Sequence, residues 1–114
     1  MKNVLVPLAP GFEEIETITV VDILRRSGAR VSIAGIVAGV IEGSRGVKLL
    51  ADESIDNIKS ERFDVMILHG GQPGTDNLKK NHRVTALLKE MVGKKKLIGA
   101  ICAAPIIFEE NGLL

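Results

Sequence analysis

Short continuous apolar runs alternate along this chain with segments whose apolar residues recur every three or four positions. Asn3-Val4-Leu5-Val6-Pro7-Leu8 is such a run, ended by Pro10-Gly11, and predicts a strand buried on both faces. From Glu13 to Arg26 the apolar residues Ile15, Ile18, Val21 and Leu24 follow helical spacing. Glu13, Glu14 and Glu16 open that segment, Arg25 and Arg26 close it, and Gly28 follows as a stop, as the helix dipole favours. Arg30 to Ala34 predicts a second strand. Ile36 to Ile41 and Val47 to Ala51 predict short strands joined by Glu42-Gly43-Ser44-Arg45-Gly46. Phe63 to Leu68 predicts another buried strand, which runs into His69-Gly70-Gly71-Gln72-Pro73-Gly74. Asp76 to Val92 predicts one helix, Lys96 to Ile101 a last strand, and Ala103 to Phe108 the helix after it.

Strand and helix in this rhythm predict a doubly wound, mostly parallel α/β sheet. Such sheets bind ligands beyond the carboxyl ends of their strands, near a topological switch point. Three predicted loops leave strand ends there, carrying Glu13, Glu14 and Glu16; then His69, Gly70 and Gly71; then Cys102 and Ala103. A cysteine, a carboxylate and a glycine turn are thereby expected at one site.

Each group has two readings. A lone cysteine is commonly a small buried hydrophobe. Between a strand and a helix, with small neighbours on both sides, Cys102 instead matches a nucleophile elbow, where the N–H groups of the following helix favour a thiolate. The position favours the reactive reading. Glu16, one turn into its helix, either complements the dipole, as Glu13 and Glu14 do, or reaches back over the sheet edge to exchange a proton at the sulfur. Gly70-Gly71 is either an ordinary turn or, with the Ala103 amide, an oxyanion hole. No Gly-Lys-Ser/Thr follows it, and its spacing fails the dinucleotide fingerprint, so neither phosphate-binding loop is present. His69 is expected to face the site and His82 to be solvated. Two histidines and one cysteine in separate segments give no metal site, and Lys94-Lys95-Lys96 reads as a solvated loop.

Composition narrows the partners. The 114 residues are 46% hydrophobic and 25% charged, which fits one small globular domain over residues 1–114. A net charge of +1 gives no electrostatic footprint for nucleic acid. One cysteine forms no internal disulfide and fits a reducing cytoplasm. The start of the chain, cut by Pro7 and Pro10 and followed by Glu13 and Glu14, does not read as a signal peptide, and no run approaches the ~20 apolar residues of a membrane span.

Gly11-Phe12-Glu13-Glu14-Ile15-Glu16-Thr17, Asp22-Ile23-Leu24-Arg25-Arg26-Ser27-Gly28, Ser44-Arg45-Gly46, Phe63-Asp64-Val65-Met66-Ile67-Leu68-His69-Gly70-Gly71 and Ala100-Ile101-Cys102-Ala103-Ala104-Pro105 occur in this order over nearly the whole chain. The set resembles the landmarks of the ThiJ/PfpI superfamily, and most of all its DJ-one branch. The resemblance implies a flavodoxin-like three-layer sandwich, usually a homodimer, acting without a cofactor. It maps the family cysteine onto Cys102, its partner acid onto Glu16, and its oxyanion amides onto Gly71 and Ala103. It places Arg45 in the dimer-side wall of the pocket with Arg26 near it. It also implies that members continue well past Leu114, with further strands, helices and a histidine beside the cysteine. The chain is therefore expected to be the N-terminal part, completed by a second copy or a second chain.

The activities implied are glyoxalase chemistry on small 2-oxoaldehydes such as methylglyoxal, and the related repair of glycated molecules. Alternatives are an oxidative-stress sensor or chaperone-like protein without turnover, and an inert structural remnant. Peptidase chemistry is disfavoured, because the protease-like branch has a histidine where this chain has Ala103.

Overall fold

The structure, a computed structural model, describes residues 1–113. The chain runs through β1 (Asn3–Leu8), α1 (Glu14–Arg26), β2 (Arg30–Gly35), β3 (Val40–Glu42), β4 (Lys48–Leu50) and β5 (Glu53–Ser54). It continues through β6 (Val65–Leu68), α2 (Gly74–Lys80), α3 (His82–Gly93), β7 (Leu97–Ala100) and α4 (Pro105–Glu110). Five strands form a parallel sheet in the order β5-β2-β1-β6-β7, while β3 and β4 pair antiparallel as a separate hairpin. β1 pairs with β2 from Asn3 opposite Arg30 to Leu8 opposite Gly35, and on its other side with β6 at Val4–Val65 and Leu5–Met66. The chain works outward from β1 through β2 to β5 and then returns to β6 across β1, so the order reverses between β1 and β6. That is the switch point.

Alternation of side chains along the strands decides what each face buries. Val4, Val6 and Val31 point to one face, where α1 covers them with Val21 and Leu24. Leu5, Met66 and Leu68 point to the other, under Leu78 of α2, Val84, Leu87, Leu88 and Met91 of α3, and Ile107 of α4. Each fully buried side chain of this size contributes about 2 kcal/mol of transfer free energy. Two helical layers around one sheet make the expected flavodoxin-like three-layer α/β sandwich. α1 does not cover the whole of its face. Leu97 is 68% exposed, and Val65 and Ile67 line an open groove of about 460 Å³ with Val4 and Leu24.

Local chemistry departs from the periodicity at four places. The single helix expected over residues 76–92 is two, because Asn81 adopts an extended conformation and its side chain accepts the Val84 N–H at 3.0 Å, capping α3. Residues 36–39 are bends, leaving only Val40–Glu42 as strand. Short 3₁₀ turns at Ile55–Asn57 and Ser60–Arg62 bury Ile55 and Ser60 where no element was expected. Finally, Lys94 and Lys96 are not simply solvated. Lys94 donates to Ser60 Oγ (2.7 Å) and Glu61 (2.9 Å), and Lys96 to the Ser60 carbonyl (2.8 Å), tying the end of α3 to the second 3₁₀ turn.

Candidate active site

The loops after β1 and β6 meet at the switch point through backbone contacts. The Glu13 N–H donates to the Gly70 carbonyl at 3.2 Å, and the Ala9 N–H donates to His69 Nε2 at 3.2 Å. Glu13 is the N-cap of α1 and its side chain accepts the Ile15 N–H, so the first turn of the helix starts beside Gly70. Glu16 projects from that turn. Its Oε1 is buried and has no hydrogen-bond partner among the described residues.

Gly70 explains where that oxygen sits. A Cβ at position 70 would lie 2.7 Å from Glu16 Oε1 and 2.6 Å from the Cys102 Cβ, so any larger residue would push the two apart. The acid and the cysteine flank one glycine. Cys102 follows β7 and is exposed, with φ +59°, a left-handed conformation that costs a non-glycine residue about 1–2 kcal/mol. Two backbone bonds hold it: Ile101 N–H to the Leu68 carbonyl (3.2 Å) and Ala104 N–H to the Ile101 carbonyl (3.0 Å). Gly71, at φ +88°, lies against the Glu13 backbone. Among the described residues no backbone acceptor takes the N–H of Gly71 or Ala103.

The other expected site residues are placed differently. His69 is 1% exposed and turned into the interior, so it does not line a pocket wall. Its Nε2 accepts from Ala9, its Nδ1 stands 2.9 Å from the Gly70 carbonyl, and Phe12 meets the ring edge-on. Those partners require the neutral tautomer protonated on Nδ1. Burial pushes the imidazole below its ordinary pKa of 6.5 despite the opposing Gly70 carbonyl. Arg26 ends α1, paired with Asp22 at 3.0 Å and roughly 15 Å along the axis from Glu16 at helical rise, away from the site of its own chain. Arg45 is exposed on the turn between β3 and β4. His82 is exposed at the start of α3, as expected.

Sequence reasoning missed Glu14. It was expected only to complement the dipole, but it is 6% exposed and accepts from Ser44 Oγ (3.1 Å), Arg45 N–H (2.7 Å) and Val47 N–H (3.1 Å). Burial pushes this carboxyl up, while the bonds from Val47, its own backbone N–H, Arg45 and Ser44 outweigh that and hold it below the ordinary range. Neither the groove beside β6 nor a second of about 300 Å³ between α1 and the hairpin includes Cys102 or Glu16. Convergence of chemical groups, not concavity, marks this site. Among the described residues no three His, Cys, Asp or Glu side chains are grouped to hold a metal ion, and no helix is long and apolar enough to cross a membrane.

The same arrangement of chain is found in known proteins. The model of the DJ-1/PfpI family matches residues 2–114. Protein dj-1beta of Drosophila melanogaster is 41% identical over 98% of this chain and 60% of its own length. The glutathione-independent glyoxalase DJR-1.2 of Caenorhabditis elegans is 35% identical over 99% of this chain and 61% of its own. The solved structure of oxidized Toxoplasma gondii DJ-1 superposes with a TM-score of 0.96 at 39% identity, covering all of this chain and 63% of that one. The chain thus spans about 60% of the length of the curated relatives named here. With its family model matched along nearly all of its length, and with a fold shared in detail with solved members, the chain belongs to the DJ-1/PfpI family.

Proposed function

We propose that the protein carrying this chain is a cofactor-independent glyoxalase that converts small 2-oxoaldehydes to 2-hydroxy acids, with Cys102 as nucleophile. The observation that carries the reading is the buried, unpartnered Glu16 Oε1 facing Cys102 across Gly70. The name of the nematode relative, a glutathione-independent glyoxalase, agrees with it. In the first step the Cys102 thiolate adds to the aldehyde carbon, and the electron pair moves to the former carbonyl oxygen, facing the Gly71 and Ala103 amides. Water protonates that oxyanion to the hemithioacetal hydroxyl. Glu16 then takes the proton from the former aldehyde carbon and returns it to the neighbouring carbon, while the hydroxyl proton passes to the neighbouring oxygen. The ketone becomes an alcohol as the adduct becomes a thioester. Water cleaves the new C–S bond, releasing the 2-hydroxy acid and restoring the thiol. The net reaction adds one water, and no external oxidant or reductant is used. The family resemblance adds assembly with a second copy, or with a chain that completes the fold, so that Arg45 faces the pocket; the single cysteine adds a reducing cytoplasmic setting.

The test is lactate formation from methylglyoxal with no added thiol. The protein carrying this chain should produce it, and Cys102→Ser should lose at least about a hundredfold in rate. An unchanged rate in Cys102→Ser overturns the mechanism. A second reading, a peroxide sensor without turnover, draws on the exposure of Cys102 and on the oxidized state named for the Toxoplasma structure. Peroxide treatment that adds two oxygens to Cys102 in intact-mass measurement, in a protein that makes no lactate, favours this second reading.

A further inference from the structure

Glu14 is a buried carboxylate that the proposed reaction does not use. It leaves the first turn of α1 in a different direction from Glu16, and every polar contact it makes beyond its own helix is to the turn between β3 and β4. Its Oε2 accepts both the Arg45 and Val47 N–H groups, and its Oε1 accepts from Ser44 Oγ. Two backbone bonds join the same two segments: Gly11 N–H to the Glu42 carbonyl and Ser44 N–H to the Phe12 carbonyl, both 2.8 Å. Position 43 is shaped to this carboxylate, because a Cβ there would stand 2.6 Å from Glu14 Cδ and Oε2. The Arg45 side chain is exposed and has no ion-pair partner among the described residues. One helical turn therefore carries two carboxylates with different duties. Glu16 faces Cys102, and Glu14 fixes the backbone of Arg45, whose guanidinium has no ion-pair partner among the described residues.

We propose that Glu14 is a positioning residue: it clamps the Ser44–Arg45–Gly46 turn to the first turn of α1 and thereby sets where the Arg45 guanidinium stands for an anionic or carbonyl oxygen bound at Cys102. The proposal rests on the reading of Arg45 as a wall of the Cys102 pocket, whether of its own chain's site or of the partner copy's. The conservative variant separates clamp from charge. In Glu14→Gln the amide oxygen accepts both backbone N–H groups, and the amide NH₂ donates to Ser44 Oγ, so every contact survives without the negative charge. In Glu14→Ala all three are lost. In Gly43→Ala the new methyl group displaces the carboxylate.

The experiment compares alkylation of Cys102 by iodoacetate, an anion, with alkylation by neutral iodoacetamide, in the protein carrying this chain. The ratio of the two rates reports the field of Arg45 at the sulfur and needs no turnover. Arg45→Ala should lower the ratio about tenfold. Glu14→Ala and Gly43→Ala should lower it to a similar level, and Glu14→Ala/Arg45→Ala should fall no further than either single variant. Glu14→Gln, which keeps the clamp and loses a negative charge, should hold it at or above the parent ratio. The methylglyoxal KM should rise in parallel, with kcat changed far less. If Glu14→Ala does not fold, Gly43→Ala and Glu14→Gln carry the comparison. The proposal is overturned by a parent-like ratio in Arg45→Ala, by a parent-like ratio in folded Glu14→Ala or Gly43→Ala, or by independent losses in the double variant. A protein that makes no lactate but shows the expected ratios sinks the glyoxalase reading and leaves the role of Glu14 standing.

Discussion

Burying an imidazole under a loop makes that loop's hold on the sheet depend on protonation. His69 Nε2 is the acceptor for the Ala9 N–H, and a second proton there would set two donors against each other. Because burial lowers the folded-state pKa below 6.5, the unfolded chain binds the proton more readily. The stability His69 supports is complete above about pH 6.5 and falls as the pH drops from there through the folded pKa. The slope for one proton is at most about 1.4 kcal/mol per pH unit. Replacing His69 by Gln should flatten that slope, measured as chemical-denaturation midpoints between about pH 8 and about pH 5. An equally steep decline in the variant would mean that another group titrates. At this scale the sequence was readable in part. That the loops carrying Cys102, Glu16 and Gly70 gather at strand ends was legible from local pattern, whereas the choice between the two readings of Glu16 and of the Gly70 turn was not set by spacing. The direction of His69 and the partners of Glu14 were not legible either, since each depends on a contact with a segment 30 or more residues away.

At the scale of elements, apolar runs and helical spacing located all the long strands and α1 to within a few residues, because burial on two faces leaves a continuous hydrophobic signature. What spacing did not register were features made by single side chains. The apolar positions around Leu78, Val84, Leu87, Leu88 and Met91 keep one face across α2 and α3, so the pattern reads as unbroken although Asn81 interrupts the backbone. The interruption is chemical: the Asn81 side chain satisfies a helix N–H that would otherwise lack a partner. Asn81→Ala should cost about 1 kcal/mol, read as a lowered denaturation midpoint, while Asn81→Asp should cost much less. A cost-free Asn81→Ala would show that the break is set by the packing of α2 and not by the cap. The two-residue β5 and the 3₁₀ turns carry too few residues for any period to show.

On the scale of the whole molecule, the two faces of the sheet are unequally covered. Three helices pack on the Leu5 and Met66 side, whereas α1 alone covers the other and leaves Val65, Ile67 and Leu97 along an open groove. An apolar strip of this kind favours association. Light scattering of the isolated 114-residue chain should show concentration-dependent association that Leu97→Lys weakens. Association unaffected by that change would assign it to another surface, such as the α1 face carrying Ile15 and Ile18.

The reversal of strand order at β1 also sets a schedule. β1 is made first yet sits mid-sheet, and its contact with the β6 end waits for residues 60 positions later. The β3–β4 hairpin closes locally, on the order of microseconds, while the pairings that bring Glu16, Gly70 and Cys102 together span most of the chain. On a ribosome the acid and the glycine turn can meet once β6 pairs with β1, but the sulfur joins them only when β7 has emerged and paired with β6. The assembled site is therefore a late event in the life of each molecule, absent from any intermediate in which β7 is still unpaired.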